Sequence, residues 1–140
     1  MKLSVVTPSL NQARYLGACL DSVRLAAERA PSHEIEHIVI DGGSTDGTTE
    51  ILGRQTAVRW VSEKDNGQSQ AINKGLGLAS GDILAYLCAD DLYEPSAVQR
   101  VLDVFPVSTA LMSFTPISFS SKGIPDGNGA SRRPNLSRPG

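Results

Sequence analysis

The sequence of 140 residues predicts an α/β domain built on a doubly wound, mostly parallel sheet. Short apolar runs typical of strands alternate with segments of helical periodicity, and a polar loop follows each apolar run. The composition, 40% hydrophobic and 20% charged, is that of an ordinary globular protein. Alternation at this spacing requires right-handed crossovers, which set the strands side by side in parallel.

The first half of the chain predicts two strand–helix units. An apolar strand at residues 3–6 precedes a helix at residues 12–30, whose apolar residues recur on one face. A second strand, at residues 35–40, leads into the loop DGGSTDG, where glycines permit backbone conformations closed to other residues. A short helix at residues 48–54 follows, and Asp46 or Thr48 is its predicted N-cap.

The second half predicts two further units. A strand at residues 58–61 precedes a helix at residues 68–78, and a strand at residues 83–87 precedes a helix at residues 95–104. Pro95 falls in the first turn of that last helix, where its missing N–H costs little.

Polar residues follow every predicted strand. The carboxyl ends of parallel strands meet at one sheet edge, so four loops should converge there. The alternative is that these loops merely connect strands to helices. Two adjacent carboxylates, however, resist joint ionisation unless a cation offsets their repulsion. Carboxylates at several strand ends therefore favour a site for a metal and a nucleotide. The residues concerned are Thr7-Pro8-Ser9, Asp41, Glu63–Gly67 and Asp90-Asp91.

Charge and residue counts exclude several classes. Residues 106–140 carry a net charge of +3 and the rest of the chain −5, and an acidic body argues against nucleic acid as a partner. Cys19 and Cys88 lack the spacing of a disulfide or zinc framework, so we expect reduced packing residues. His33 and His37 stand apart from other ligand-type residues, so we expect structural or surface roles.

Membrane spanning is not predicted. No stretch approaches the roughly 20 apolar residues that cross a bilayer. The N-terminus enters a strand-like run at once, with no signal-peptide pattern. We expect a cytoplasmic protein, or one that is peripheral at the inner face of the membrane.

Three segments resemble a known family in order and spacing. VVTPSLNQARYLGACLDSV, HIVIDGGSTDGTTEIL and SEKDNGQSQAINKGLGLASGDILAYLCADDLYEP are similar to the nucleotide-sugar-binding half of inverting family-2 glycosyltransferases of the GT-A (Rossmann-like) fold. The resemblance covers residues 2–105, which we expect to form the binding domain. A GxGxxG dinucleotide loop is absent after the first strand.

The resemblance implies a function: transfer of a sugar from a nucleotide-diphosphate sugar, most simply a UDP-sugar, to a hydroxyl of a glycan or lipid-linked acceptor. Thr7, Pro8 and Ser9 would pack on the base, and Asp41 would accept a hydrogen bond from its edge.

The remaining implied roles concern the ribose, the sugar and the phosphates. Asp65, Asn73 and Lys74 would line the pocket near the ribose and phosphates, and Asp90 would face the ribose or sugar. Asp91 would bind Mg²⁺ or Mn²⁺, which stabilises the departing diphosphate.

The chain also departs from the family pattern. Gln70 and Ala89 stand where some members have acids. Residues 106–140 do not match; 16 of these 35 residues are Ser, Pro or Gly, so we expect a partly disordered tail in an apparently truncated domain. One edge strand at residues 110–114 would be compatible with this composition.

No catalytic general base is identified, which leaves a non-catalytic nucleotide-binding or oligomerising module as the alternative. If transfer does occur, Asp65 and Glu94 are the acids to consider. A nucleotidyltransferase is disfavoured because no basic, glycine-rich loop follows the first strand. Apolar residues at Val101, Leu102, Val104 and Phe105 should be exposed, so a homo-oligomer is expected.

Overall fold

The structure, a computed structural model, describes residues 1–105. Every predicted strand and helix in this range is present, with ends that differ by a few residues. In chain order the elements are β1 (Lys2–Ser9), α1 (Ala13–Glu28), β2 (Glu34–Asp41), α2 (Thr48–Gly53), β3 (Val58–Ser62), α3 (Gln68–Leu78), β4 (Ile83–Tyr86) and α4 (Ala97–Val104).

The four strands form one parallel sheet in the order β3-β2-β1-β4, which confirms the predicted fold class. β1 lies inside the sheet, between β2 and β4, and its residues are buried almost throughout. Because successive side chains point to opposite faces, a strand covered on both faces reads as a continuous apolar run. Leu3, Val5 and Val6 fit this pattern, and Ser4 between them is a buried polar residue.

The helices cover both faces of the sheet. On one face, Val5 packs in a cluster with Cys19 and Val23 of α1 and Leu102 of α4. On the other face, Val6 packs with Ile38, Ile40 and Ala71, the last of which belongs to α3. The doubly wound arrangement leaves the carboxyl edge of the sheet free for loops.

Two helix starts differ from the prediction. Gly47, with φ of 95°, is the N-cap of α2 in place of Asp46 or Thr48, although the Asp46 carboxylate still accepts a hydrogen bond from the Thr48 N–H at 3.2 Å. α4 begins at Ala97, because Pro95 and Ser96 form a turn in which the Ser96 hydroxyl donates to the Glu94 carboxylate at 2.6 Å.

The expected exposure of the apolar residues around α4 was wrong for Leu102. Leu102 is 1% exposed in the core, whereas Val104 is 80% exposed, because the amphipathic helix turns one face inward. Self-association stays a prediction, and the expected disordered tail and the strand at 110–114 lie outside the described residues. Across residues 1–105, no helix is both long and apolar enough to cross a membrane.

Helix α3 approaches the sheet closely at Gly75. A Cβ atom there would lie 2.3 Å from Cγ1 of Val6 and 3.2 Å from Cγ1 of Ile40, whereas a Cβ at Gly77 would meet nothing within 4 Å. The two glycines therefore form a matched pair within one helix.

We expect Gly75→Ala to lower the free energy of unfolding by roughly 1 to 3 kcal/mol, because the added methyl overpacks the helix–sheet contact. Gly77→Ala should raise it by up to about 1 kcal/mol, since alanine favours the helix. Urea unfolding measures both. Equal effects of the two substitutions would contradict the close packing of α3.

His37 makes the fold sensitive to acid. Its side chain is buried on β2, and Nε2 lies 2.8 Å from the Thr7 hydroxyl oxygen. Burial lowers the pKa of His37 from 6.5 to about 4. Between these values the unfolded chain binds a proton that the folded chain excludes, so folding stability falls as the pH falls.

The expected loss between pH 6.5 and pH 4 is roughly 1 to 3 kcal/mol. His37→Gln keeps a polar side chain but does not titrate in this range, so its stability should depend less on pH. Urea unfolding at a series of pH values provides the comparison. Parallel pH profiles for the two proteins would show that His37 is not responsible.

Candidate functional site

A cleft of about 350 Å³ opens at the carboxyl edge of the sheet. Its walls come from three places that the chain separates widely: the end of β1 with its following loop, the start of α3, and the turn after β4. The lining residues are Pro8, Ser9, Leu10, Gln12, Asp65, Gly67, Gln68, Ala71, Cys88, Ala89 and Asp90.

Four of the predicted site residues line this cleft: Pro8, Ser9, Asp65 and Asp90. Ser9 is 5% exposed, and its hydroxyl oxygen is buried without a hydrogen-bond partner in the described part of the chain. Buried polar groups in folded proteins are nearly always hydrogen-bonded, so an orphaned hydroxyl in a cleft wall points to a bound ligand or water.

The acidic turn after β4 concentrates negative charge at the cleft. The Asp91 N–H donates to the Cys88 carbonyl at 2.9 Å, which closes the turn. One potential ligand atom each from Cys88, Asp90 and Asp91 lies within 4.8 Å of the others. Burial, and then the charge of Asp90, raise the pKa of Asp91. A divalent cation relieves this repulsion, so these residues fit a metal.

Cys88 is not the packing residue that the sequence predicted. Cys19 is buried in the core as expected, and both thiols are free, but Cys88 is partly exposed in the cleft wall. The Gln68 side-chain amide donates to its sulfur at 3.2 Å. Burial raises the pKa of the Cys88 thiol, and the neighbouring Asp91 and Asp90 raise it further.

Asp41 is not among the residues that line the cleft. Its carboxylate is fully buried and accepts hydrogen bonds from the Gly43 N–H at 3.2 Å, the Ser44 N–H at 2.9 Å and the Ser62 hydroxyl at 2.7 Å. The Ser44 hydroxyl donates to it as well. Asp41 therefore organises the loop after β2 and joins it to the end of β3.

Four other predicted residues also lie outside the cleft lining, and one of them, Asp91, directly follows the lining residue Asp90. The Thr7 side chain is buried, and its hydroxyl is hydrogen-bonded with His37. Asn73 is exposed on α3, and the Lys74 ammonium is paired with the Glu63 carboxylate.

Hydrogen bonds join the β1–α1 loop to the loop after β2. The side-chain amide oxygen of Asn11 accepts from the Thr45 N–H at 2.9 Å, and the Ser44 hydroxyl oxygen accepts from the Asn11 N–H at 2.8 Å. Asp46 accepts from the Ala13 N–H at 2.9 Å. Asn11 has φ of 51°, a left-handed conformation that asparagine tolerates better than most residues. These hydrogen bonds hold the β1–α1 loop, which forms one wall of the cleft.

The prediction missed several lining residues. Leu10 and Gln12 follow β1, Gln68 opens α3, and Cys88 follows β4. Their position just beyond a strand end, or at the start of the next helix, was the available signal. The candidate residues were chosen as polar residues that follow a strand. Leu10 is apolar and Cys88 was expected to be a packing residue, so neither was among them.

The candidate bases occupy different environments. Asp65 lines the cleft, and its carboxylate accepts a hydrogen bond from the Gly67 N–H at 3.0 Å. Glu94 is exposed and does not line the cleft; hydrogen bonds from Ser96 lower its pKa. Within residues 1–105, the acids that line the cleft are thus Asp65 and Asp90.

A parallel α/β sheet with an acidic turn at its carboxyl edge is the architecture of the GT-A glycosyltransferases, and comparison with solved structures agrees. S. aureus TarS residues 1–349 in complex with UDP-GlcNAc superimposes with a TM-score of 0.65 at 23% identity, over 74% of this chain and 30% of that one. The mannosyltransferase PcManGT of Pyrobaculum calidifontis, in complex with GDP-Man and Mn²⁺, gives 0.59 at 27% identity, over 71% and 30%.

The sequence comparison then identifies the family. The family model described as "Glycosyl transferase family 2" matches residues 4–132. An uncharacterized glycosyltransferase of Nostoc sp. is 33% identical over 114 residues, which are 77% of this chain and 34% of that protein. The chain belongs to glycosyl transferase family 2, as the motifs predicted, and it spans about a third of the length of this relative. The match runs past residue 105, and the domain boundary there stays a prediction.

We expect Asp41→Ala to lower the free energy of unfolding by about 1 to 3 kcal/mol, because it leaves buried N–H and hydroxyl donors without an acceptor. Asp90→Ala removes an exposed acid from the cleft and should change stability by less than about 0.5 kcal/mol. Urea unfolding compares the two variants. A stable Asp41→Ala protein would show that the loop does not depend on this carboxylate.

Proposed function

We propose that residues 1–105 bind a nucleoside-diphosphate sugar, most simply a UDP-sugar, in the cleft together with Mg²⁺ or Mn²⁺. The observation that carries the proposal is the juxtaposition of the acidic turn, Asp90-Asp91, with the orphaned hydroxyl of Ser9 at the same sheet edge. Membership of a sugar-transferring family supports this ligand class.

The metal is supported by chemistry and by similarity. Carboxylate oxygens are hard ligands that suit Mg²⁺ and Mn²⁺. PcManGT, which shares the fold, is described in complex with GDP-Man and Mn²⁺. In our proposal Asp91 is the principal ligand, and the bound cation would stabilise negative charge on the leaving diphosphate.

Other residues that line the cleft would contact the base, the ribose and the sugar of the donor. Pro8 and Ser9 form the wall against which the base packs, Asp65 faces the ribose, and Asp90 faces the ribose or the sugar. These four residues belong to one continuous cleft lining. The roles follow the family resemblance, and the shared lining supports them.

The other predicted residues take indirect roles. Thr7 and Asp41 shape the sheet edge, since both side chains are buried and hydrogen-bonded. Lys74 could reach the phosphates if its ion pair with Glu63 opened. Asn73 stands one residue before it on the exposed side of α3.

For the whole reaction, we propose transfer to an acceptor hydroxyl with inversion at the sugar. Such a displacement needs a general base near the acceptor. In this proposal Asp65 and Asp90, the acids that line the cleft within the described residues, are assigned to the donor. We therefore assign donor binding and leaving-group stabilisation to residues 1–105, and expect a chain of these residues alone to bind donor without measurable transfer.

We expect Asp91→Asn to weaken UDP binding roughly ten- to a hundredfold in Mn²⁺, since it removes a charged ligand, and to change binding little in EDTA. Titration calorimetry with UDP in each condition measures the difference. Asp21→Asn is the matched control, because Asp21 is an exposed acid on α1 outside the cleft.

An equal loss of UDP affinity with and without metal would show that Asp91 acts on something other than a cation. A loss with Asp21→Asn as large as with Asp91→Asn would point to net charge rather than to a site.

A further inference from the structure

We propose that Gln70 is a positioning residue, whose side chain holds the β3–α3 loop so that the Asp65 carboxylate is set for the ligand. The inference rests on the proposed function, in which Asp65 faces the ribose of a nucleoside-diphosphate sugar. It gives a role to one of the positions at which the chain departs from the family pattern.

One hydrogen bond joins Gln70 to the loop. The Asn66 N–H donates to the side-chain oxygen of Gln70 at 2.6 Å. Gly67 is the N-cap of α3, so Gln70 is the third helical residue, where Gln or Glu commonly accepts a backbone N–H at the start of a helix. The accepted N–H belongs to the peptide between Asp65 and Asn66. The bond therefore fixes the backbone from which the Asp65 side chain projects.

The Asp65 carboxylate has two contacts of its own. It accepts a hydrogen bond from the Gly67 N–H at 3.0 Å. It also lies against Gly42, where an added Cβ atom would come within 3.0 Å of Oδ2 and 3.1 Å of Oδ1. The carboxylate is thus confined to a narrow position, and it keeps that position only while the backbone of Asp65 stays in place.

A second contact ties the loop to α3 on the other side of Asp65 in sequence. The Lys74 ammonium pairs with the Glu63 carboxylate, and both side chains are partly exposed. Ion pairs between exposed side chains contribute little to stability. The Gln70 hydrogen bond, which is made to the peptide next to Asp65, is therefore the closer restraint.

The position of Asp65 matters because this segment builds one wall of the cleft. Asp65, Gly67, Gln68 and Ala71 line it, whereas Gln70 does not. A group that already occupies its binding position loses less conformational freedom when the ligand arrives. Gln70 thus contributes to ligand affinity through Asp65 and without contact to the ligand.

Titration calorimetry of the full chain with UDP and Mn²⁺ compares two substitutions. Gln70→Met removes the acceptor oxygen but keeps side-chain length and helix propensity, and should weaken UDP binding about three- to tenfold. Gln70→Glu retains an acceptor oxygen and should bind within about twofold of wild type. Gln55→Met is the matched control, because Gln55 is exposed and outside the cleft lining. Equal losses in the two Gln70 variants would overturn the proposal.

A background without the carboxylate tests whether Gln70 acts through Asp65. In Asp65→Ala, the Gln70→Met substitution should cause no further loss of UDP affinity, since residues that act as one unit are not additive. Gly42→Ala provides an independent measurement, because its methyl displaces the same carboxylate. It should weaken UDP binding in the wild-type background and not in Asp65→Ala. Losses that stay additive with Asp65→Ala would contradict the inference.

Amide-proton exchange, measured by NMR without UDP, separates this inference from the proposed function. Gln70→Met should speed exchange at the Asn66 N–H, whose acceptor it removes, and also at the Gly67 N–H, whose acceptor is Asp65. Gln70→Glu should restore both rates. Faster exchange at Asn66 alone would mean that Gln70 only caps the helix, and the inference then fails even if UDP binds. If both amides respond but wild type does not bind UDP, the proposed function fails and the positioning of Asp65 by Gln70 stands.

Discussion

The buried carboxylate of Asp41 is the interaction on which the shape of the site depends. It gathers donors from the loop after β2 and from Ser62 at the end of β3. Ser44, one of those donors, in turn accepts the N–H of Asn11 in the neighbouring loop. A carboxylate inside the protein must be compensated by such donors. The Asp41 carboxylate therefore holds together the loop after β2 and the end of β3, and through Ser44 the loop after β1.

The sheet register transmits this arrangement to the cleft. Ser9 pairs with Asp41 across β1 and β2, and the Gly42 N–H donates to the Ser9 carbonyl at 2.8 Å. On the other side of β1, the Leu87 N–H donates to the Val6 carbonyl at 2.9 Å, which places the acidic turn. β1 thus aligns the uncharged wall at Ser9 with the acidic turn at Asp90-Asp91. This arrangement suits a ligand with a base at one end and metal-bound phosphates at the other.

Function and stability make opposite demands on the two sets of acids. Asp41 is buried and compensated by protein donors, so it contributes to the fold. Asp90 and Asp91 lie next to each other near the cleft, and burial, followed by the charge of Asp90, raises the pKa of Asp91. A bound cation would offset the repulsion between these two carboxylates.

The sequence by itself determined the α/β class, the element order and the carboxyl-edge location of the site, because the apolar periodicity of each segment is local and parallel strands must meet at one edge. It also contained the family motifs, and with them Pro8, Ser9, Asp65 and Asp90. Only the tertiary structure decided that Asp41 is buried outside the cleft lining, that the Thr7 hydroxyl is hydrogen-bonded with His37 and that Cys88 lies close to the acids. Whether a polar side chain faces a ligand or a buried partner depends on residues distant in sequence. The same strand-end position is compatible with either outcome until the neighbouring strands and loops are in place.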